Sequence, residues 1–216
     1  MSYQILYHLF EDCLTRNYRT VDNSASYDIQ FHGGTLAIFF EASRGSEDWN
    51  NNLNFRIRPY DDMDPVWYCH AGFLKVFKSV LPYLESYISA PDVRRVVISG
   101  YSHGGALAIL CHEAVWFRRP DIRRHLITFA YGAPRVLFGT PPREVQDRFR
   151  ELYLIRNQGD LVTHMPPAFL GFRHIGNRIE IGQKGQYSPI DAHRPENIRR
   201  ELYSYESKIC TARKNM

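Results

Sequence analysis

A chain of 216 residues with 44% hydrophobic and 23% charged residues has the make-up of one folded domain, which excludes a disordered tail or a fibrous repeat. Its formal charge of +4 comes partly from Arg94, Arg95, Arg118, Arg119, Arg123 and Arg124; these flank apolar segments instead of forming one basic block, so no nucleic-acid partner is expected. No apolar run approaches the roughly 18 residues of a membrane-spanning helix, which limits any membrane contact to the periphery.

In chain order, residues 1–14 contain Glu11 and Asp12, lack an early Lys or Arg, and read neither as a signal peptide nor as an anchor. Ile5, Leu6, Leu9, Phe10, Cys13 and Leu14 recur at helical spacing and predict an amphipathic opening helix. Residues 27–31 and 36–40 are β-rich and flank His32, Gly33, Gly34 and Thr35, a pattern that predicts an antiparallel hairpin. Phe73, Leu74, Phe77, Leu81, Leu84 and Ile88 mark one helical face, which Pro82 should kink or divide.

Val93, Val96, Val97 and Ile98 then predict a strand, residues 104–117 a helix and Leu126–Tyr131 another strand. A helical stretch at 145–149 precedes a strand at 152–156, and a strand near Ile179 and Ile181 precedes a C-terminal helix over 196–205. This alternation specifies an α/β fold with a mostly parallel central sheet, helices on its faces and an antiparallel N-terminal hairpin. With no internal repeat and no low-complexity tract, residues 1–216 read as a single domain. Cys13, Cys69, Cys111 and Cys210 are far apart and form no C-x-x-C pair, so without an export signal they read as reduced thiols in a cytoplasmic protein.

The chemistry centres on Gly100-Tyr101-Ser102-His103-Gly104, a G-x-S-x-G pentapeptide between an apolar strand and an Ala/Leu-rich helix. A strand that turns sharply into a helix crowds the backbone, and residues without Cβ on both flanks relieve that crowding and lift Ser102 above the sheet edge. The helix N-terminus then lies beneath a reacting carbonyl, where the His103 amide can stabilise an oxyanion. The His103 side chain, adjacent to the nucleophile, is expected to diverge from it.

A serine hydroxyl needs a base, and the base an orienting carboxylate, so an acid and then a histidine are sought downstream. Asp160 follows the strand at 152–156 directly, at a strand C-terminal end where open α/β sheets assemble their sites. Three histidines compete as the base. His164 lies close to Asp160 and before Pro166-Pro167, which suits loop structure; His174 precedes a strand; His193 sits in a polar loop, which favours it. Spacing alone leaves the choice open.

Residues 98–136, with ISGYSHGGALA followed by TFAYGAPRV, resemble the class 3 lipases, the fungal triacylglycerol lipase family, whose elbow helix leads into a strand ending in G-A-P-R. Phe40-Glu41-Ala42-Ser43 with Asp48-Trp49 is similar to that family's F-R-G-[ST] and D-W signature, and residues 160–167 to its D-x-V-x-x-x-P-P loop. The resemblance implies an α/β-hydrolase fold and an ester hydrolase acting on acyl esters or lipids without metal or organic cofactor. It also implies that Ser102 is the nucleophile, Asp160 the orienting acid, His193 the base, His174 non-catalytic, and Ser43 with His103 the oxyanion hole.

The sequence departs from the family at Glu41 and Ala42, where Arg and Gly are usual, and at Tyr101 and His103, where His and Leu are commoner. Residues 56–68 correspond to the family's helical lid but are short and polar, so interfacial activation is not expected. The altered residues 41–42 motivate one rival, a catalytically silent binding protein that keeps the fold. A second rival, a metal-dependent hydrolase using some of the nine histidines, finds no H-E-x-x-H or similar spacing.

Overall fold

In the computed structural model, which describes residues 4–22, 25–42 and 55–214, the apolar periodicities become packed faces. Helix α1 (Gln4–Thr15) buries Leu6, Leu9, Phe10 and Cys13. After a short strand β1 (Arg19–Asp22), strands β2 (Ala25–His32) and β3 (Thr35–Phe40) form the expected antiparallel hairpin, turning at Gly33-Gly34. Strands β4 (Ile57–Tyr60) and β5 (Trp67–His70) lead into helix α2 (Ala71–Ile88). Pro82 lies inside α2 without dividing it, since Val80, Leu81 and Leu84 remain buried on its apolar face around the proline.

Strand β6 (Arg95–Tyr101) runs into helix α3 (His103–Arg118), followed by β7 (Leu126–Tyr131), β8 (Leu137–Phe138), α4 (Arg143–Arg148) and β9 (Leu152–Asn157). Strands β10 (Phe172–Arg173) and β11 (Asn177–Ile181) and helix α5 (Pro195–Lys214) complete the chain. The central sheet has the order β1-β2-β3-β6-β7-β9-β11, antiparallel up to β3 and parallel from β3 onward.

Alternation along these strands separates two cores. Leu36, Ile38, Val96, Ile98, Leu126, Leu152 and Leu154 face a cluster shared with α2 and α3. Phe39, Tyr101, Phe129, Tyr131 and Ile155 face the opposite cluster, which α1 and α5 close with Phe10, Ile198 and Leu202. Helices therefore cover both faces, as the order of elements required.

A second sheet, β10-β8-β5-β4, is antiparallel throughout and was not foreseen, because strands of two and four residues carry no readable alternation. It corrects the reading of residues 56–68 as the counterpart of a lid. That stretch is the β4–β5 hairpin, fixed to the core by Tyr60, Met63 and Trp67, all at most 2% exposed. Tyr60 Oη donates to the Leu110 carbonyl and Trp67 Nε1 to Glu113 Oε1.

Three of the arginines that flank apolar segments have specific local work. Arg119 donates to the carbonyls of Ile88, Ala90 and Val93, Arg118 pairs with Glu85, and Arg123 lies 3.5 Å over the Trp116 ring.

Candidate active site

The backbone turns at Ser102 with φ 57° and ψ −120°, and Ser102 is the one non-glycine residue with positive φ among those described. Such a conformation costs on the order of 1–3 kcal/mol and persists only where its surroundings impose it. Here the Ser102 amide donates to the Tyr131 carbonyl at 2.9 Å, while its own carbonyl accepts from Gly105 N at 3.0 Å as α3 begins. The glycines of the pentapeptide are required by contact. A Cβ on Gly100 would lie 2.2 Å from the Gly104 carbonyl oxygen, and one on Gly104 would lie 2.3 Å from the Phe40 carbonyl oxygen.

The structure brings three of the singled-out side chains into line. Ser102 Oγ lies 2.9 Å from His193 Nε2, and His193 Nδ1 lies 2.8 Å from Asp160 Oδ2. Asp160 is fully buried in the loop after β9; its second oxygen, Oδ1, accepts from Val162 N at 2.8 Å. In the tautomer this geometry calls for, Nδ1–H donates to Asp160 and Nε2 accepts from the serine hydroxyl. His193 closes a short 3-10 turn, Asp191–His193, ahead of α5, and Asn157 Nδ2 holds that turn by donating to the Ala192 carbonyl at 2.9 Å.

The two competing histidines do other things. His164 Nδ1 bonds the Asp160 carbonyl at 2.8 Å, within the loop that presents the acid. His174 Nε2 bonds the Thr163 carbonyl at 2.7 Å, and burial pushes its pKa down to about 3, so it is a neutral structural donor. The His103 ring turns into the core against Phe73, 5.6 Å between centroids, with a pKa lowered to about 4 by burial. Its amide opens α3 and, as a first-turn donor, has no intrahelical acceptor. Ser43, the other expected oxyanion donor, lies outside the described residues, as do Asp48 and Trp49.

Three contributors escaped the sequence reading. Gly132, in the G-A-P-R segment, has φ 54° and lies so close that a Cβ there would be 3.0 Å from His193 Cε1 and 3.2 Å from Asp160 Oδ2. Arg135 of the same segment donates through Nη1 to the His164 and Pro166 carbonyls, tying the G-A-P-R segment to the loop that carries Asp160. Asn157 lies three residues before Asp160, yet its bond to the histidine turn spans 35 residues and leaves no local signal. Among the described residues, no group of three or more His, Cys, Asp or Glu side chains is arranged to hold a metal ion.

Residues 37–170, well over half of the chain, match the family described as Lipase (class 3). The chain belongs to the class 3 lipase family. The lipase of Rhizopus niveus is 29% identical over 140 residues, covering 62% of this chain and 36% of its relative. A secreted mono- and diacylglycerol lipase of Malassezia restricta is 30% identical over 180 residues, covering 74% of this chain and 55% of the relative. The chain thus spans between about a third and just over half of the length of these relatives. Among solved structures, the triacylglyceride lipase of Rhizomucor miehei superposes with a TM-score of 0.62 at 21% identity, over 84% of this chain and 78% of that one. The shared architecture is the α/β-hydrolase fold.

Proposed function

We propose that this class 3 lipase homologue is a serine carboxylic-ester hydrolase acting through an acyl-enzyme on acyl esters or lipids. The observation that carries the reading is the unbroken relay from Ser102 Oγ through His193 to the buried Asp160, set on a strained elbow. As Ser102 Oγ adds to the ester carbonyl carbon, its proton passes to His193 Nε2, and Asp160 stabilises the imidazolium. The tetrahedral oxyanion would sit against the His103 amide together with a donor from Ser43, an arrangement in which one donor contributes roughly 10²–10³ in rate. Collapse breaks the ester C–O bond, and the leaving alkoxide takes the proton from Nε2. Water then gives a proton to His193, adds to the acyl carbon and releases the acid as Ser102 recovers its proton. Every proton moves through one imidazole, and no metal or organic cofactor takes part.

This reading treats residues 1–216 as one domain, supported by two apolar clusters that share a single central sheet. No described helix is long and apolar enough to cross a membrane, and the reading keeps any membrane contact peripheral. The relative named as secreted speaks against the cytoplasmic expectation, and by that likeness we take an extracellular site of action as the working location. Cys13, Cys69 and Cys111 do not oppose it: they are unbridged but at most 3% exposed, and burial raises all three thiol pKa values, which makes them inert.

The test is hydrolysis of p-nitrophenyl esters over a range of acyl lengths, with fluorophosphonate labelling, by wild type, Ser102→Ala and His193→Ala, with and without EDTA. Turnover and labelling by wild type, unaffected by EDTA and lost in both variants, is the expected result. A wild type that neither turns over nor labels hands the chain to the silent-fold reading.

A further inference from the structure

The relay leaves one neighbour of His193 without a task. Tyr101 ends β6, one residue before the nucleophile, and its side chain points to the face of the sheet covered by α1 and α5, at 6% exposure. Its ring stacks on the His193 imidazole, with centroids 5.1 Å apart and planes inclined by 27°. Its hydroxyl donates to the His193 backbone carbonyl. One side chain therefore grips the histidine twice, at the ring and at the main chain.

We propose that Tyr101 is a positioning residue for the proton-carrying imidazole: its hydroxyl pins the His193 backbone, and its ring holds one face of the imidazole.

The backbone grip matters because nothing else in the turn supplies it. His193 N donates to the Ile190 carbonyl, but no backbone amide among the described residues donates to the His193 carbonyl. The chain continues through Arg194 to Pro195, and Pro195 has no N–H to offer. The Asn157 bond to Ala192 fixes the residue before; the Tyr101 hydroxyl fixes His193 itself. The phenol is a permanent donor, since burial and then the charges of Asp160 and Glu196 push its pKa above its ordinary value of 10.

The ring contact acts on the orientation of the imidazole. Aromatic rings in offset contact attract one another beyond the area they bury, so a stacked partner resists rotation of the imidazole out of line. The polar contacts of the imidazole run from its edge, to Asp160 Oδ2 in the loop after β9 and to Ser102 Oγ at the elbow. Tyr101 adds a contact on the ring face. That contact is itself braced: Phe10 of α1 meets Tyr101 edge-on at 5.5 Å, and Phe10 also packs on Tyr131, whose hydroxyl donates to the Leu6 carbonyl at 2.7 Å. Helix α1 thereby reaches the histidine through a chain of rings.

The inference rests on the Ser102–His193–Asp160 reading, so its test needs one arm that does not depend on turnover. NMR of the His193 imidazole, assigned by the loss of its signals in His193→Ala, supplies that arm through the ring-current shift of its protons; the kcat and KM values for a soluble p-nitrophenyl ester supply the other. In Tyr101→Leu, the imidazole signals should move as the stacked ring is lost, and kcat should fall further than in Tyr101→Phe at unchanged KM. In Tyr101→Phe, which keeps the ring, the signals should stay and kcat should fall about 3–10-fold at unchanged KM, as expected when one positioning hydrogen bond is lost. If Tyr101→Leu melts early, Tyr101→Met refills the volume and takes its place.

A Leu or Met variant whose imidazole signals match wild type, or whose kcat is no lower than that of Tyr101→Phe, overturns the role of the ring. A Phe variant with wild-type kcat overturns the role of the hydroxyl. A wild type that neither hydrolyses nor labels defeats the enzymatic reading by itself, while the NMR arm still decides whether the ring holds the imidazole.

Discussion

Asp160 and Glu113 are both fully buried carboxylates, on opposite sides of the molecule's logic. Asp160 lies beyond the end of β9 and contacts His193 Nδ1 at 2.8 Å. Glu113 lies within α3 and is held by Arg148 Nη1 at 2.7 Å and Trp67 Nε1 at 3.1 Å. Arg148 in turn covers the Phe117 ring at 4.6 Å and donates to the Asp64 carbonyl, so the pair binds α3, α4 and the β4–β5 hairpin together. Burial raises the Glu113 pKa and Arg148 opposes that shift. Both sites would score alike on burial and pairing. They differ in the partner: a guanidinium never releases its proton, whereas an imidazole does, and only the imidazole reaches a second polar atom, the Ser102 hydroxyl, that can give it another. A buried acid marks chemistry when its partner can change charge beside a nucleophile, and marks a staple when it cannot.

The sharpest way to break that contrast is to truncate one member on each side. Ser102→Ala should lower kcat/KM by about 10⁴-fold or more, and adding His193→Ala should cost little further, because the relay acts as a unit. Stability should hardly change. Ser102→Gly, equally inactive, should melt higher than wild type, since glycine takes φ 57° without strain. Equal melting temperatures for Ser102→Gly and wild type would mean that the elbow stores no strain.

Glu113→Ala should do the reverse. It leaves the Arg148 charge buried without its partner, at a cost of about 3–5 kcal/mol in denaturant unfolding, while kcat per folded molecule stays at the wild-type value. Replacing both, with Glu113→Leu and Arg148→Met, should cost much less. A large loss of kcat in folded Glu113→Ala would erase the distinction between the two carboxylates.

How far these two sites could be read from the chain differs for the same physical reason. The elbow announces itself locally, because glycines at 100 and 104 answer contacts that the strand-to-helix turn makes within five residues and against β3. Asp160 was legible from its place after a strand. His193 required a family likeness to separate it from His174, since the contact that selects it spans 33 residues. The parallel sheet followed from apolar runs long enough to show a period. The second sheet, built from short strands, and the Glu113–Arg148 pair, joined across 35 residues, had no local signature. Legibility tracked the sequence range of the interaction and not its importance.

Acid should separate the scaffold from the relay through a third group of residues. Burial lowers the pKa of His103 and His112 to about 4 and of His174 to about 3, from an ordinary 6.5. Between pH 6.5 and about 4 the unfolded chain therefore binds more protons than the folded one. Stability from these histidines is complete above pH 6.5 and is lost as pH falls, by up to about 1.4 kcal/mol per pH unit for each histidine. His112, held by Thr128 Oγ1 at 2.8 Å and the Arg148 carbonyl at 3.0 Å, belongs to the staple side. Urea midpoints measured from pH 7 to pH 4.5 should fall, and His112→Gln should flatten about a third of that slope without changing the pH profile of kcat/KM. An unchanged slope would show that His112 is as easily protonated in the folded protein as in the unfolded chain.

The smallest effect compares two arginines that each tie backbone carbonyls. Arg135 holds the His164 and Pro166 carbonyls in the loop behind Asp160; Arg119 holds three carbonyls at the end of α2 and beyond, none of them in the loops that carry Asp160 or His193. Removing either loses hydrogen bonds from a charged group, and each alanine variant should cost about 1–2 kcal/mol, reduced from a buried value because both side chains keep some contact with water. Arg135→Ala should also lower kcat about 5-fold at constant KM, because a looser 160–167 loop lets the Asp160 carboxylate wander from Nδ1. Arg119→Ala should not touch kcat. If the two variants lose stability equally and only Arg135→Ala loses rate, the G-A-P-R arginine belongs to the positioning of the acid; if neither loses rate, its bonds to the loop serve the scaffold alone, and Asp160 is held well enough by Val162 N and His193.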